Sequence, residues 1–145
     1  MTTIAYKNKI FAYDSRSTND NIITDDNADK RHIVKGVVFF LCGAVSDCQR
    51  IIDAYFGGKA GRNIDCSGFA IDAGRLYEIG INNEDGFWKM EFRANNCRAM
   101  GSGHKFALTA MDLGCDAAQA VKMAAKRDTC TGGRIRTHWI HQKIK

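Results

Sequence analysis

Apolar and polar residues alternate almost from the start of the chain. Thr2 to Tyr6 and Ile10 to Tyr13 read as two strands, joined as a hairpin by Lys7-Asn8-Lys9. Asp14-Ser15-Arg16-Ser17-Thr18 ends the second strand in polar residues. The Asn- and Asp-rich stretch from Asn19 to Asp29 reads as a loop with a short strand at Ile22-Ile23. Val37 to Cys42 is a continuous apolar run of strand length, the pattern of a strand covered on both faces. Ser46 to Phe56 switches to helical spacing, with Ile51, Ile52 and Tyr55 on one side, and Gly57-Gly58 stops it. The Gly-rich stretch up to Gly61 reads as a loop.

Cys66 to Asp72 and Arg75 to Ile79 form a second hairpin pattern across Ala73-Gly74, and Phe87 to Phe92 a further strand. Asn95 to Met100 leads into Gly101-Ser102-Gly103. The helix after it carries Phe106, Ala110 and Leu113 on one stripe, with Ala107 and Met111 beside it. Gly114 suits its C-terminal cap. Asp116 and Gln119 have capping-box spacing for another helix. Its face of Ala117, Ala120, Val121 and Ala124 is small enough to lie close to a sheet, and it is expected to end near Arg127. Arg134 to Ile140 reads as the last strand. Strands and helices in separate blocks indicate α+β. Two antiparallel sheets face to face with helices outside would cover both faces of the Val37 run.

The 145 residues suit a single domain spanning 1–145. No run approaches the roughly 20 apolar residues of a membrane span, and the N-terminus lacks a signal-peptide pattern. A cytoplasmic location with reduced thiols is therefore expected for the six cysteines. They form no CxxC pair, so no zinc site is read. Asp25, Asn27 and Asp29 alternate as in a calcium loop, but Lys30 and Gly36 stand where that loop needs Gly and Glu, so it is rejected. The net charge of +5 is concentrated after Lys122. No nucleic-acid-binding motif accompanies it, so it reads as a solvated basic surface.

The second residue changes the chemical picture. Removal of Met1 would leave Thr2 with a hydroxyl and a free α-amine. An α-amine titrates at about 7.7–8.0, so it can serve as a base near neutrality. An N-terminal amine is a recognised activator of a Thr hydroxyl. The bland alternative is an ordinary strand beginning at the start codon. Further short polar or Gly-rich stretches recur at element ends: Asp14-Ser15-Arg16, Lys30, Cys42-Gly43-Ala44, Gly101-Ser102-Gly103 and the segment from Asp128 to Gly133. Each is weak alone.

Together with Thr2 they resemble the proteasome β-subunit and HslV family of N-terminal-nucleophile hydrolases. Met-Thr-Thr-Ile-Ala matches the start of a mature subunit. Asp14 to Thr18 looks like the family's Asp-Ser-Arg-Ala-Thr, and Lys30 stands sixteen residues after Asp14, the family's spacing. Cys42 to Cys48 is similar to Ala-Gly-Gly-Ala-Ala-Asp-Cys. Gly101-Ser102-Gly103 and Asp128 to Gly133 match its later Gly-Ser-Gly and Asp-x-x-Ser-Gly-Gly. The chain departs from the family in length, mainly between Ser46 and Cys66, where it has room for one short helix instead of two long ones. No propeptide is expected before Thr2, which resembles HslV.

The resemblance implies a four-layer αββα sandwich and a threonine-type peptidase. Thr2 would be the nucleophile, with Lys30 favouring loss of its hydroxyl proton and Asp14 paired to Lys30. The Gly43 N–H would be the oxyanion-hole donor. Ser102, Asp128 and Thr131 would surround the Thr2 amine, and His32, Leu41 and Val45 would shape the specificity pocket. No cofactor is required; a monovalent cation near Asp128 to Gly133 is left open. The implied partners are a peptide or unfolded-protein substrate, other copies of the chain in a homo-oligomeric ring, and an ATPase unfoldase. Tyr55, Phe56, Phe87 and Trp88 are candidate ring contacts, being short of cover beside the missing helix. A non-cleaving assembly subunit and a small-amide amidohydrolase of the same fold are the alternatives.

Overall fold

The structure is a computed structural model and describes residues 2–59, 61 and 63–145. Met1 lies outside the described residues, as do Ala60 and Arg62 of the Gly-rich loop. The first half holds β1 (Thr3–Lys7), β2 (Ile10–Tyr13), β3 (Ser17–Asn19), β4 (Ile22–Asp25), β5 (Arg31–Val34), β6 (Val37–Gly43) and α1 (Val45–Tyr55). There follow β7 (Cys66–Asp72), β8 (Arg75–Asn82), β9 (Gly86–Phe92) and β10 (Arg98–Gly101). Helices α2 (His104–Asp112) and α3 (Ala117–Ala125) and strand β11 (Arg136–Trp139) complete the chain. The class is α+β, as the block order of elements implies. No described helix is long and apolar enough to cross a membrane.

The chain divides into two compact units. One comprises residues 1–30 and 93–143, the other 31–92 with 144–145. In the first unit the antiparallel sheet runs β10-β1-β2-β11. Asn8 and Lys9 both take positive φ (50° and 65°), the backbone of a tight hairpin turn matched to strand twist. Helices α2 and α3 pack on one face through small residues: Ala5 and Ala12 of the sheet meet Ala107, Ala110, Ala117, Ala120, Val121 and Ala124. Asp116 and Gln119 make the expected capping box. Lys7 Nζ donates to the carbonyls of Met111 and Cys115 at 3.0 and 2.9 Å, placing a cation at the C-terminal end of α2. The short hairpin β3-β4 stands apart, with Ile22 and Ile23 exposed.

The second unit is a meander, β5-β6-β7-β8-β9, every neighbour antiparallel. Helix α1 packs Ile51 and Ile52 into a cluster with Leu41, Ile64, Cys66, Ile79 and Ile81. Each unit is thus a helix layer on an antiparallel sheet, the pair of layers an αββα sandwich uses twice.

Four expectations need correction. Strands β3 and β5 carry little apolar signal because they lie at edges and are partly exposed; pairing with β4 and β6 makes them strands. Strand β10 forms where only a lead-in was expected, because β1 pairs with it. Helix α2 buries Ala107, Ala110 and Met111, whereas Phe106 and Leu113 of the expected stripe are exposed. The alanine-lined contact leaves no depth for a Phe ring, so the helix turns its smaller residues inward. Of the aromatic residues expected to be short of cover, Tyr55 and Trp88 are covered within their own unit, whereas Phe56 is exposed. Tyr55 stacks edge-on against Phe39, Phe56 and Phe87 and donates its hydroxyl to Asp72 at 2.6 Å. Trp88 lies against Gly80, where a β-carbon would come within 2.5 Å of the indole.

Candidate active site

Strand β1 delivers the N-terminal threonines into the first unit. Thr2 precedes the strand and is 4% exposed, and Thr3 opens it fully buried. Asp14, one residue beyond β2, is also fully buried. Its Oδ1 accepts from the Thr3 N–H at 3.1 Å and from Lys30 Nζ at 2.8 Å. Its Oδ2 accepts from the Gly132 N–H at 3.0 Å and more weakly from Arg16 N–H at 3.4 Å. Lys30 Nζ also donates to the Arg16 carbonyl at 2.7 Å. One carboxylate oxygen therefore holds both the peptide joining Thr2 to Thr3 and the Lys30 ammonium. A buried charge needs such partners; unpaired, it would be strongly unfavourable.

The segment after α3 supplies a second acidic centre. Asp128 Oδ2 accepts from Ser102 Oγ at 2.5 Å and from Thr131 Oγ1 at 2.6 Å, and Oδ1 accepts from Cys130 N–H at 3.1 Å. Burial raises the affinity of this carboxyl for a proton, but the two hydroxyls and the amide outweigh it and hold Asp128 below its ordinary range. Thr131 uses its only hydroxyl proton on Asp128. The 2.6 Å contact between the Thr3 and Thr131 hydroxyls must then be donated by Thr3. A continuous chain runs Thr3 to Thr131 to Asp128, with Ser102 joining at the same oxygen.

The Gly-Ser-Gly turn is set by the backbone that passes it. Gly101 has φ +101° and faces Thr3 in the β1-β10 register. A β-carbon there would overlap the Thr2 carbonyl oxygen. Gly103 is packed against Thr3 Oγ1, Ala124 and Thr131 in the same way.

Six of the sequence-assigned residues, Thr2, Asp14, Lys30, Ser102, Asp128 and Thr131, thus lie in the first unit, where two hydrogen-bonded groups form around Thr2-Thr3. The other four lie in the second unit. Gly43 ends β6 with φ +123°, where a β-carbon would overlap the Asp65 carbonyl oxygen. His32 is half-buried on β5, Leu41 is buried in the cluster beneath α1, and Val45 opens α1 at 80% exposure. The carbonyls of Asp128, Thr129 and Gly132 accept from Thr131 N–H, the Arg16 guanidinium and Ser15 N–H. No group of three or more metal-ligating side chains occurs among the described residues.

Sequence reasoning missed Thr3 and Arg16. The signal for Thr3 was a second hydroxyl beside the first, facing the opposite side of a strand. Arg16 pairs bidentately with Asp26, Nε to Oδ1 at 2.8 Å and Nη2 to Oδ2 at 3.2 Å. With Thr18, Asp20, Asn21, Ile23 and the 125–130 segment it lines a cleft of about 470 Å³ that includes Asp128.

No protein-family model matches the chain, and no curated protein matches it. Solved structures do. Thiobacillus denitrificans BPH is similar with a TM-score of 0.67 at 15% identity, over 96% of each chain. The same protein in complex with epoxomicin gives 0.67 and 15%, over 96% of this chain and 97% of that one. The chain has the α+β fold of these structures along nearly its whole length.

Proposed function

We propose that this chain is a threonine-type peptidase of the proteasome-like class, acting through Thr2 after removal of Met1. The observation that carries the reading is the buried Asp14–Lys30 pair sharing one carboxylate oxygen with the Thr3 amide. That arrangement presents a cation beside the first residues of β1 and fixes the peptide that bears Thr2. The bound epoxomicin of a structural neighbour supports the same reading, since epoxomicin is a proteasome inhibitor.

In the proposed reaction Thr2 Oγ attacks the scissile carbonyl and its proton passes to the Thr2 α-amine. The amine then protonates the leaving nitrogen, an acyl ester forms on Thr2, and water hydrolyses it by the same route. Lys30 favours the alkoxide by its charge. The Asp128 network, through Thr131 and Thr3, holds the start of β1 in place. The oxyanion role of Gly43 and the pocket roles of His32, Leu41 and Val45 remain part of the proposal and rest on the sequence resemblance. So do a peptide or unfolded-protein substrate, a homo-oligomeric ring and an ATPase partner.

Intact mass, peptide hydrolysis and epoxomicin labelling test the reading together. The purified protein should lack Met1, cleave fluorogenic peptides, and gain an epoxomicin adduct that Thr2→Ala abolishes. Full retention of Met1, or a Thr2→Ala variant as active as its parent, would overturn it. Light scattering should give a mass of six or more subunits; a monomer at micromolar concentration would remove the ring.

A further inference from the structure

The turn between β10 and α2 carries a side chain to which the proposed chemistry gives no role. Gly101 ends β10, Ser102 and Gly103 follow, and His104 is the first residue of the helix. Two of the three turn residues are glycines, whose backbone is the least restrained of any residue. The turn is packed tightly against the start of β1. A β-carbon at Gly101 would overlap the Thr2 carbonyl oxygen, and one at Gly103 would overlap Thr3 Oγ1. Where this turn sits therefore decides where Thr2 and Thr3 sit. No side chain caps the N-terminus of α2. Instead the half-buried His104 ring reaches back three residues, and its Nδ1 lies 2.8 Å from the Gly101 carbonyl oxygen. A carbonyl oxygen only accepts, so Nδ1 carries the proton and donates it.

We propose that His104 is a positioning residue for the reaction assigned to Thr2: its Nδ1–H clamps the Gly101 carbonyl and so holds the Gly-Ser-Gly turn against β1. The kinetic consequence rests on the peptidase reading; the clamp itself does not. His104 acts through the Gly101 backbone, which backs the peptide that bears Thr2.

The turn has two side-chain anchors, one on each side. Ser102 Oγ donates to Asp128 Oδ2 at 2.5 Å and ties the middle of the turn to the segment after α3. The same carboxylate oxygen holds Thr131, which accepts from Thr3. His104 ties the first turn residue to α2. Without the imidazole, Ser102 is left to restrain a segment flanked by glycines, and the Gly101 peptide gains rotational freedom next to the Thr2 carbonyl. An Asn side chain carries its amide nitrogen at the same branch point as Nδ1 and can donate the same bond, whereas Ala cannot. Asn is therefore the variant that separates loss of the ring from loss of the clamp.

Three measurements test this on the full chain. Nitrogen NMR of the His104 ring should place a proton on Nδ1. Amide hydrogen exchange across residues 101–103, read by mass spectrometry, should speed up about five- to tenfold in His104→Ala, the loss of one hydrogen bond, and stay near the parent rate in His104→Asn. In peptide hydrolysis His104→Ala should lower kcat about ten- to a hundredfold with KM within about twofold, because a misplaced nucleophile slows the reaction without weakening substrate binding. His104→Asn should recover most of that loss. A histidine that only stabilised α2 would lower Tm and leave kcat per folded molecule unchanged. A bare Nδ1, or parent-like exchange in His104→Ala, would overturn the clamp. Faster exchange with parent-like kcat, or an Asn variant as slow as the Ala variant, would overturn its role in the reaction. A parent chain that cleaves no peptide would overturn the peptidase reading and the kinetic role with it, while NMR and exchange still decide the clamp. If His104→Ala does not fold, NMR on the unsubstituted chain and the kinetics of His104→Asn decide.

Discussion

Asp14→Asn is the sharpest test of the site because it keeps the side-chain shape and removes only the charge. The carboxylate receives four donors, two on each oxygen. An amide has one acceptor oxygen and one NH2 group. If its oxygen faces Gly132 and Arg16, its NH2 is set against Thr3 N–H and the Lys30 ammonium. If it is flipped, the NH2 meets Gly132 and Arg16 instead. Either way two donors face a donor in a fully buried position, and Lys30 keeps only the Arg16 carbonyl among these contacts. Breaking one side of a buried pair costs about 3–5 kcal/mol. For a chain of this size that is a fall in Tm of roughly 6–20 °C, at about 2–4 °C per kcal/mol. Lys30→Met should cost a comparable amount, about 3–5 kcal/mol, because the fully buried carboxylate keeps its three backbone donors but loses its counter-charge. Both variants should lose peptide hydrolysis, and the double variant should be no less stable than Asp14→Asn alone. Urea denaturation and a thermal scan measure the stabilities. An Asp14→Asn protein within about 1 kcal/mol of its parent would refute the reasoning.

Gly101→Ala should both destabilise the chain and abolish hydrolysis, since its β-carbon would displace the Thr2 carbonyl; wild-type activity with a normal Tm would contradict the stated packing. Thr131→Val should cost about 1–3 kcal/mol by leaving the buried Thr3 hydroxyl without its acceptor, read by the urea midpoint. Asp128 is held below its ordinary range, so its contribution is present above the unfolded carboxylate value, near 3.9, and is lost as pH falls through the lower folded value. Urea midpoints measured from pH 6 downward should therefore decline more steeply in the parent than in Asp128→Asn, and equal slopes would remove the role given to its hydrogen bonds. Peptide hydrolysis should rise between about pH 6 and 8 as the Thr2 amine loses its proton, and a flat profile would argue against that amine as the base.

What could be read from the sequence was written in neighbouring residues. The Asp116–Gln119 capping box, the turns at Asn8-Lys9 and Ala73-Gly74, and the apolar run of β6 depend on dihedrals and side chains within a few positions, and the structure has all of them. The spaced motifs also marked Asp14, Lys30, Ser102, Asp128 and Thr131 as a group, though only as separate points along the chain. Tertiary structure decided what local patterns cannot carry. The Thr3–Thr131 hydroxyl contact spans 128 residues and the Gly132–Asp14 bond 118, and neither has a local signature. Edge strand β5 exists because β6 offers it a ladder. The buried face of α2 follows from the depth of an alanine-lined contact with the sheet, a quantity set jointly by three elements. Hydrophobic periodicity says that a helix has an inner face; only the shape of the opposing surface selects which residues fit it.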